Sequence, residues 1–98
     1  MKVRLLSQAE ADLDNIWYYI ALDDPDAATR TVDAILARLR VLASFPGAGR
    51  QREELYPGLR SWPINDYVVF YSADESEIRV GRVLHGHRDV QSVFDQAE

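Results

Sequence analysis

The chain has 98 residues, 47% hydrophobic and 28% charged, with a formal net charge of −5 and no cysteine. That length is near the common size of one domain, so residues 1–98 are expected to fold as a single unit, burying roughly 60–68% of the unfolded surface. The composition excludes disulfides and thiolate metal sites, supplies no apolar run of the roughly 20 residues a membrane span needs, and opposes phosphate-led nucleic-acid binding.

Residues 1–49 carry 5 positive and 7 negative groups and residues 50–98 carry 6 and 9, so neither half is a basic arm. The N-terminus lacks a signal-peptide core, and a cytoplasmic location is the expectation. Lys2-Val3-Arg4-Leu5-Leu6 alternates and predicts a short outer strand. Ser7-Gln8-Ala9-Glu10 then spells a capping box, so Ser7 reads as a cap and not as a nucleophile. Leu13, Ile16, Trp17 and Ile20 follow at helical spacing, with Asp12, Asp14 and Asn15 expected to face outward. Asp24-Pro25 predicts the N-cap and first residue of a second helix, whose stripe is Val32, Ile35, Leu36, Leu39, Leu42 and Ala43. It should stop at Phe45-Pro46-Gly47, and the short break between the helices predicts an antiparallel αα-hairpin.

Pro46 to Gly58 reads as a polar loop, with Glu53 and Glu54 solvated. Leu59 to Ile64 is extended, with Pro63 marking an edge or a bulge. Asn65-Asp66 turns the chain into the strand Tyr67-Val68-Val69-Phe70-Tyr71, and Ala73 to Ser76 turns it into a last strand from Glu77 to Leu84. Val90, Val93 and Phe94 suit a final helical turn. The fold class is therefore α+β: an N-terminal strand, an αα-hairpin, then a three-stranded antiparallel meander with the helices on one face. Alternation places Val68 with Phe70, and Ile78, Val80, Arg82 and Leu84 together on one face of the last strand. Both sheet faces are then partly apolar, so something should cover the second.

The meander carries Arg60, Arg79, Arg82, His85, His87 and Arg88, more cations than an acidic chain needs on a small sheet. They are expected to form one contact surface. Arg60 and Arg82 suit either exposed cross-strand pairs with Asp66, Glu75 or Glu77, or a bidentate grip on a target's carboxylate or phosphate. His85 and His87 fall on one side of an extended segment, but only Asp89 offers a third ligand, so no metal or other cofactor is expected. Trp17 reads as core, Trp62 as core rim or partner contact, and Tyr67 and Tyr71 as packing or a covered face.

Ala11-Asp12-Leu13-x-x-Ile16-Trp17-x-Tyr19-Ile20, the Phe45-Pro46-Gly47-x-Gly49-Arg50 corner, Gly58-Leu59-Arg60-Ser61, Tyr67-x-x-Phe70-Tyr71 and Arg82-Val83-Leu84-His85-x-x-Arg88-Asp89 occur in this order along most of the chain. In these the chain resembles the ParE branch of the RelE/ParE family of type II toxin–antitoxin systems. The resemblance implies a small toxin, neutralised by a co-expressed ParD-like antitoxin of the ribbon-helix-helix type. ParE members typically poison DNA gyrase, whereas RelE members cut messenger RNA on the ribosome. Cleavage would need phosphate-holding cations and a general acid and base. Here the only lysine is Lys2 and no tyrosine follows Tyr71, although Arg60, Arg82 and His85, with Glu53 or Glu54, loosely mimic one RelE-type set. A gyrase poison with no catalytic residue is the preferred reading. Ribosome-dependent endoribonuclease and a non-toxic antitoxin-binding relative are its alternatives.

Arg60, Trp62, Arg82, His85, His87 and Arg88 are then the candidate target contacts. The antitoxin is expected in a groove along the helices and over part of the sheet, meeting Trp17, Tyr67, Val69 and Tyr71. No sequence-specific nucleic-acid binding is expected of this chain.

Overall fold

The computed structural model describes residues 1–86 and 90–95. Its elements are β1 (Lys2–Leu5), α1 (Ser7–Ala21), α2 (Pro25–Ser44), β2 (Arg50–Gln51), β3 (Arg60–Ile64), β4 (Tyr67–Ala73), β5 (Glu77–His85) and α3 (Val90–Asp95). The strands form one sheet in the order β1-β5-β4-β3-β2, with β1 parallel to β5 and the other pairs antiparallel. The predicted class and element order hold. The polar loop adds one strand, β2, which is too short to register as a pattern.

Asp24 caps α2 as predicted, its Oδ1 accepting from the Asp26 and Ala27 amides, with Pro25 at the first helical position. The predicted capping box at Ser7 does not form: Leu6 is the N-cap and no side chain caps the helix. The Leu6 amide is still bonded to the Val80 carbonyl, so strand passes to helix in one residue and Ser7 is already helical. Asn65 adopts φ 53 in the turn that joins β3 to β4, a conformation asparagine tolerates better than most residues. Pro63 pairs with Val68 on one side and lies beyond β2, which reaches only Ser61 and Arg60, so its missing N–H strands no partner.

One core lies between the hairpin and the sheet: Ala9, Leu13, Ile35, Leu39 and Leu42 of the helices against Ile64, Val69, Tyr71, Ile78, Val80 and Val83. A smaller one lies on the far face, where Leu59, Phe70 and Leu84 are covered by Leu55 and by Val90, Val93 and Phe94 of the last helix. The expected cover for the second face is thus the chain's own α3, with Phe94 edge-on to Phe70 at 5.1 Å between ring centroids.

The strict alternation predicted for β5 is broken. Phe70 pairs with Arg82 but Tyr71 pairs with Val80, leaving Gly81 as the extra residue of a bulge. The bulge shifts the pleat by one residue, so Val80 and Val83 both enter the hairpin core while Leu84 enters the other. The placement of Val80 and Leu84 on one face is corrected accordingly.

Candidate functional site

The bulge sets the position of Arg82. β1 ends opposite Val80 while β5 runs on to His85, so the Val83 amide has no strand beside it. Asp12 of α1 fills the gap: its Oδ2 accepts from the Val83 amide at 2.9 Å and from Arg82 Nε at 2.8 Å, and its Oδ1 accepts from Arg82 Nη2 at 3.0 Å. Asp12 is only 7% exposed, which overturns its predicted outward orientation. A carboxylate here continues the hydrogen bonding that β1 abandons, and the guanidinium fork neutralises it. Arg82 thereby fastens α1 to the sheet. It is not a free cation, and it reaches a residue 70 positions away in sequence, not the neighbouring Asp66, Glu75 or Glu77.

Arg60 is committed elsewhere. Its Nη1 donates to the carbonyls of Gly49 at 2.8 Å and Gly47 at 3.4 Å, bracing the corner that follows α2. Tyr71 holds the same corner from within: its hydroxyl donates to the Pro46 carbonyl at 2.8 Å and accepts the Gly49 amide at 2.9 Å. A Cβ on Gly49 would lie 2.7 Å from Tyr71 Cε1 and 2.9 Å from the Ser61 carbonyl oxygen, so only glycine fits. The Phe45–Arg50 motif is therefore a preorganised corner, and it leaves Phe45 66% exposed.

The other candidates are scattered. Trp62 packs against the hairpin core with the Arg38 guanidinium 4.8 Å from its ring centroid. His85 ends β5, exposed, with its ring edge-on to Tyr67. His87 and Arg88 lie outside the described residues. Of the cations expected to form one contact surface, Arg60 lies on β3, Arg82 on the β5 edge and His85 at the β5 terminus, and the first two are fixed in intrachain bonds. Of the antitoxin candidates, Val69 and Tyr71 have no exposed surface and are corrected to core residues. Trp17 and Tyr67 are half-buried, Trp17 donating through Nε1 to Thr29 Oγ1 across the hairpin. An open groove of about 480 Å³ runs between α1 and the sheet, lined among others by Asn15, Ile16, Tyr19, Tyr67 and His85. A second trough, about 680 Å³, crosses the far face beside Tyr56, Leu59, Arg79, Arg82 and Phe94.

Arg79 is bound to Asp74 at 2.6 Å and lies 3.5 Å from Glu77, which also meets Arg4 at 3.6 Å. Arg79 and the Ser76 and Glu77 amides hold the Asp74 carboxyl well below its ordinary value of 3.8. The folded chain then binds fewer protons than the unfolded one around and below pH 4, so stability falls as the pH falls through that range. Asp74→Asn is expected to flatten that decline, read from urea midpoints at neutral pH and at pH ~3. An unchanged decline would contradict the assignment.

Among the described residues, no three His, Cys, Asp or Glu side chains converge as a metal site. None of the described helices is long and apolar enough to cross a membrane.

Strand, helical hairpin and meander, with cations that tie the elements together, define a RelE/ParE-like α+β toxin fold. A family model described as the ParE toxin of the type II toxin–antitoxin system, parDE, matches residues 3–90. Toxin ParE1 of Caulobacter vibrioides is 34% identical over 83 residues, spanning 84% of this chain and 85% of that protein. Putative toxin Y4kP of Sinorhizobium fredii is 32% identical over 95 residues, spanning 95% and 96%. A solved chain from the chromosomal ParDE TA system of P. aeruginosa matches with a TM-score of 0.73 and 28% identity, covering 87% of this chain and 95% of that one. The chain belongs to the ParE toxin family of type II toxin–antitoxin systems.

Proposed function

We propose that this toxin acts in the cytoplasm by binding DNA gyrase, without cleaving a bond, and that a ParD-like antitoxin neutralises it. Family membership supports the toxin–antitoxin part. The observation that favours binding over cleavage is the commitment of the groups RNA cleavage would use. Arg82 is spent on Asp12, Arg60 on the corner carbonyls, and the Tyr71 hydroxyl on Pro46 and Gly49, while Lys2 is the sole lysine. A phosphate-cleaving site needs such groups convergent on one atom. In this reading the target meets the end of β5 at His85, with His87 and Arg88 next in sequence, and Arg60, Trp62 and Arg82 shape the scaffold behind it. The antitoxin takes the α1 groove beside Tyr19 and Tyr67, with Trp17 at its margin.

The test is a supercoiling assay with purified gyrase, run beside primer extension on translated messages. Loss of supercoiling with intact messages is the expected result. Unaffected supercoiling at saturating toxin would sink the proposal, and cuts in the ribosomal A site would establish the endoribonuclease in its place.

A further inference from the structure

Helix α2 buries Ala28, Ile35, Leu39, Leu42 and Ala43. Its opposite side carries Ala34, Ala37, Val41 and, at the C-cap, Phe45, spaced by three or four residues and so aligned in one row. All four are exposed, Val41 by 43% and Phe45 by 66%. Along one flank of the row, at seven-residue intervals, stand Asp26, Asp33 and Arg40, exposed and without an ion pair among the described residues. The flank is therefore acidic toward the start of the helix and basic toward its end. Each chain carries −5, which opposes self-association, so a face whose opposite charges meet locally is favoured for it.

We propose that this face of α2 pairs with the same face of a second copy of the chain, the helices running antiparallel about a two-fold axis at Ala37. Parallel pairing would set this flank against the partner's opposite flank, so Asp33 and Arg40 would not meet across the contact. Antiparallel pairing sets Arg40 of each copy against Asp33 of the other, so one isologous contact makes the ion pair twice. The small Ala37 at the axis lets the helix axes approach to about 8–10 Å. Val41 and Phe45 then lie along the first half of the partner helix, Phe45 against the aliphatic stem and guanidinium of the partner copy's Arg30. The corner braced by Tyr71 and Arg60 fixes the backbone that follows Phe45, and the Phe45 amide is bonded to the Leu42 carbonyl, which lowers the backbone ordering cost of contact.

Sedimentation equilibrium of the full chain from about 10 µM to about 1 mM brackets the range of a small transient interface. A monomer–dimer equilibrium is the expected result. Ala37→Glu places two like charges at the axis, and Arg40→Asp sets carboxylate against carboxylate; each should weaken dimerisation by about tenfold or more. Both positions are exposed, so circular dichroism and the melting temperature should hold. The charge swap Asp33→Arg with Arg40→Asp should restore the dimer, which loss of folding could not do. A monomer throughout the range, a dimer indifferent to both single variants, or a swap that restores nothing overturns the proposal.

Discussion

Arg82→Met is expected to lower the melting temperature by at least about 12 °C, a loss near 3 kcal/mol in a domain of this size. Removing the guanidinium leaves the Asp12 carboxylate, with only 8% of its side chain exposed, holding a full charge against the Val83 amide alone. Arg82 is itself 19% exposed along its side chain, so the lower end of the cost of breaking a buried pair applies. The partner substitution separates charge from shape. Asp12→Asn in the Arg82→Met background leaves an oxygen to accept from Val83 and no charge to strand. The double variant should therefore melt above Arg82→Met. A single variant within about 1 kcal/mol of the parent would show that Arg82 is held loosely and is available for a target.

The same pair marks the limit of reading this chain as a sequence. α1 and α2 were legible because their stripes repeat at helical spacing and Asp24-Pro25 spells a helix start. Asp12 was not, because a charge beside Leu13 on an amphipathic helix ordinarily faces water. What draws it inward is a mismatch of strand lengths: β5 outruns β1, and an orphaned amide 71 residues downstream requires an acceptor. The β5 alternation failed for a related reason. A single extra residue at Gly81 exchanges the faces of everything after it, and a lone glycine in a strand is only a weak sign of a bulge. The intrachain bonds of Arg60 and Arg82 were not legible, because each joins residues far apart in sequence. The sheet places Arg60 on β3 and Arg82 at the far edge of β5, with β4 between them. The corner itself was legible as two glycines and a proline directly after a helix, but nothing in the sequence marked Tyr71, 22 residues beyond Gly49, as its brace.

That tyrosine carries the second large effect. Tyr71→Phe is expected to cost on the order of 2–4 kcal/mol, because the Pro46 carbonyl and the buried Gly49 amide lose their shared partner while the ring still fills its place. The pH dependence identifies the hydroxyl as the cause. Burial pushes the Tyr71 phenol above its ordinary value of 10.0, against the opposing pull of the Gly49 amide and the Arg60 charge. The folded chain then keeps a proton that the unfolded chain releases. The contribution is full below pH 10 and is lost as the pH rises toward the folded value. Tyr71→Phe should remove that alkaline slope and leave the one from Tyr67, whose phenol is raised by burial and by Asp66. Gly49→Ala tests the corner from the other side. In the parent its methyl group meets the ring and the Ser61 carbonyl, which should cost about 1–3 kcal/mol. In the Tyr71→Phe background it should cost less, since the hydroxyl oxygen that the methyl group would also meet is gone, but not nothing, since ring Cε1 and the backbone Ser61 carbonyl remain. Full additivity of the two would mean that Gly49 is required for its own backbone and not for the close approach of Tyr71.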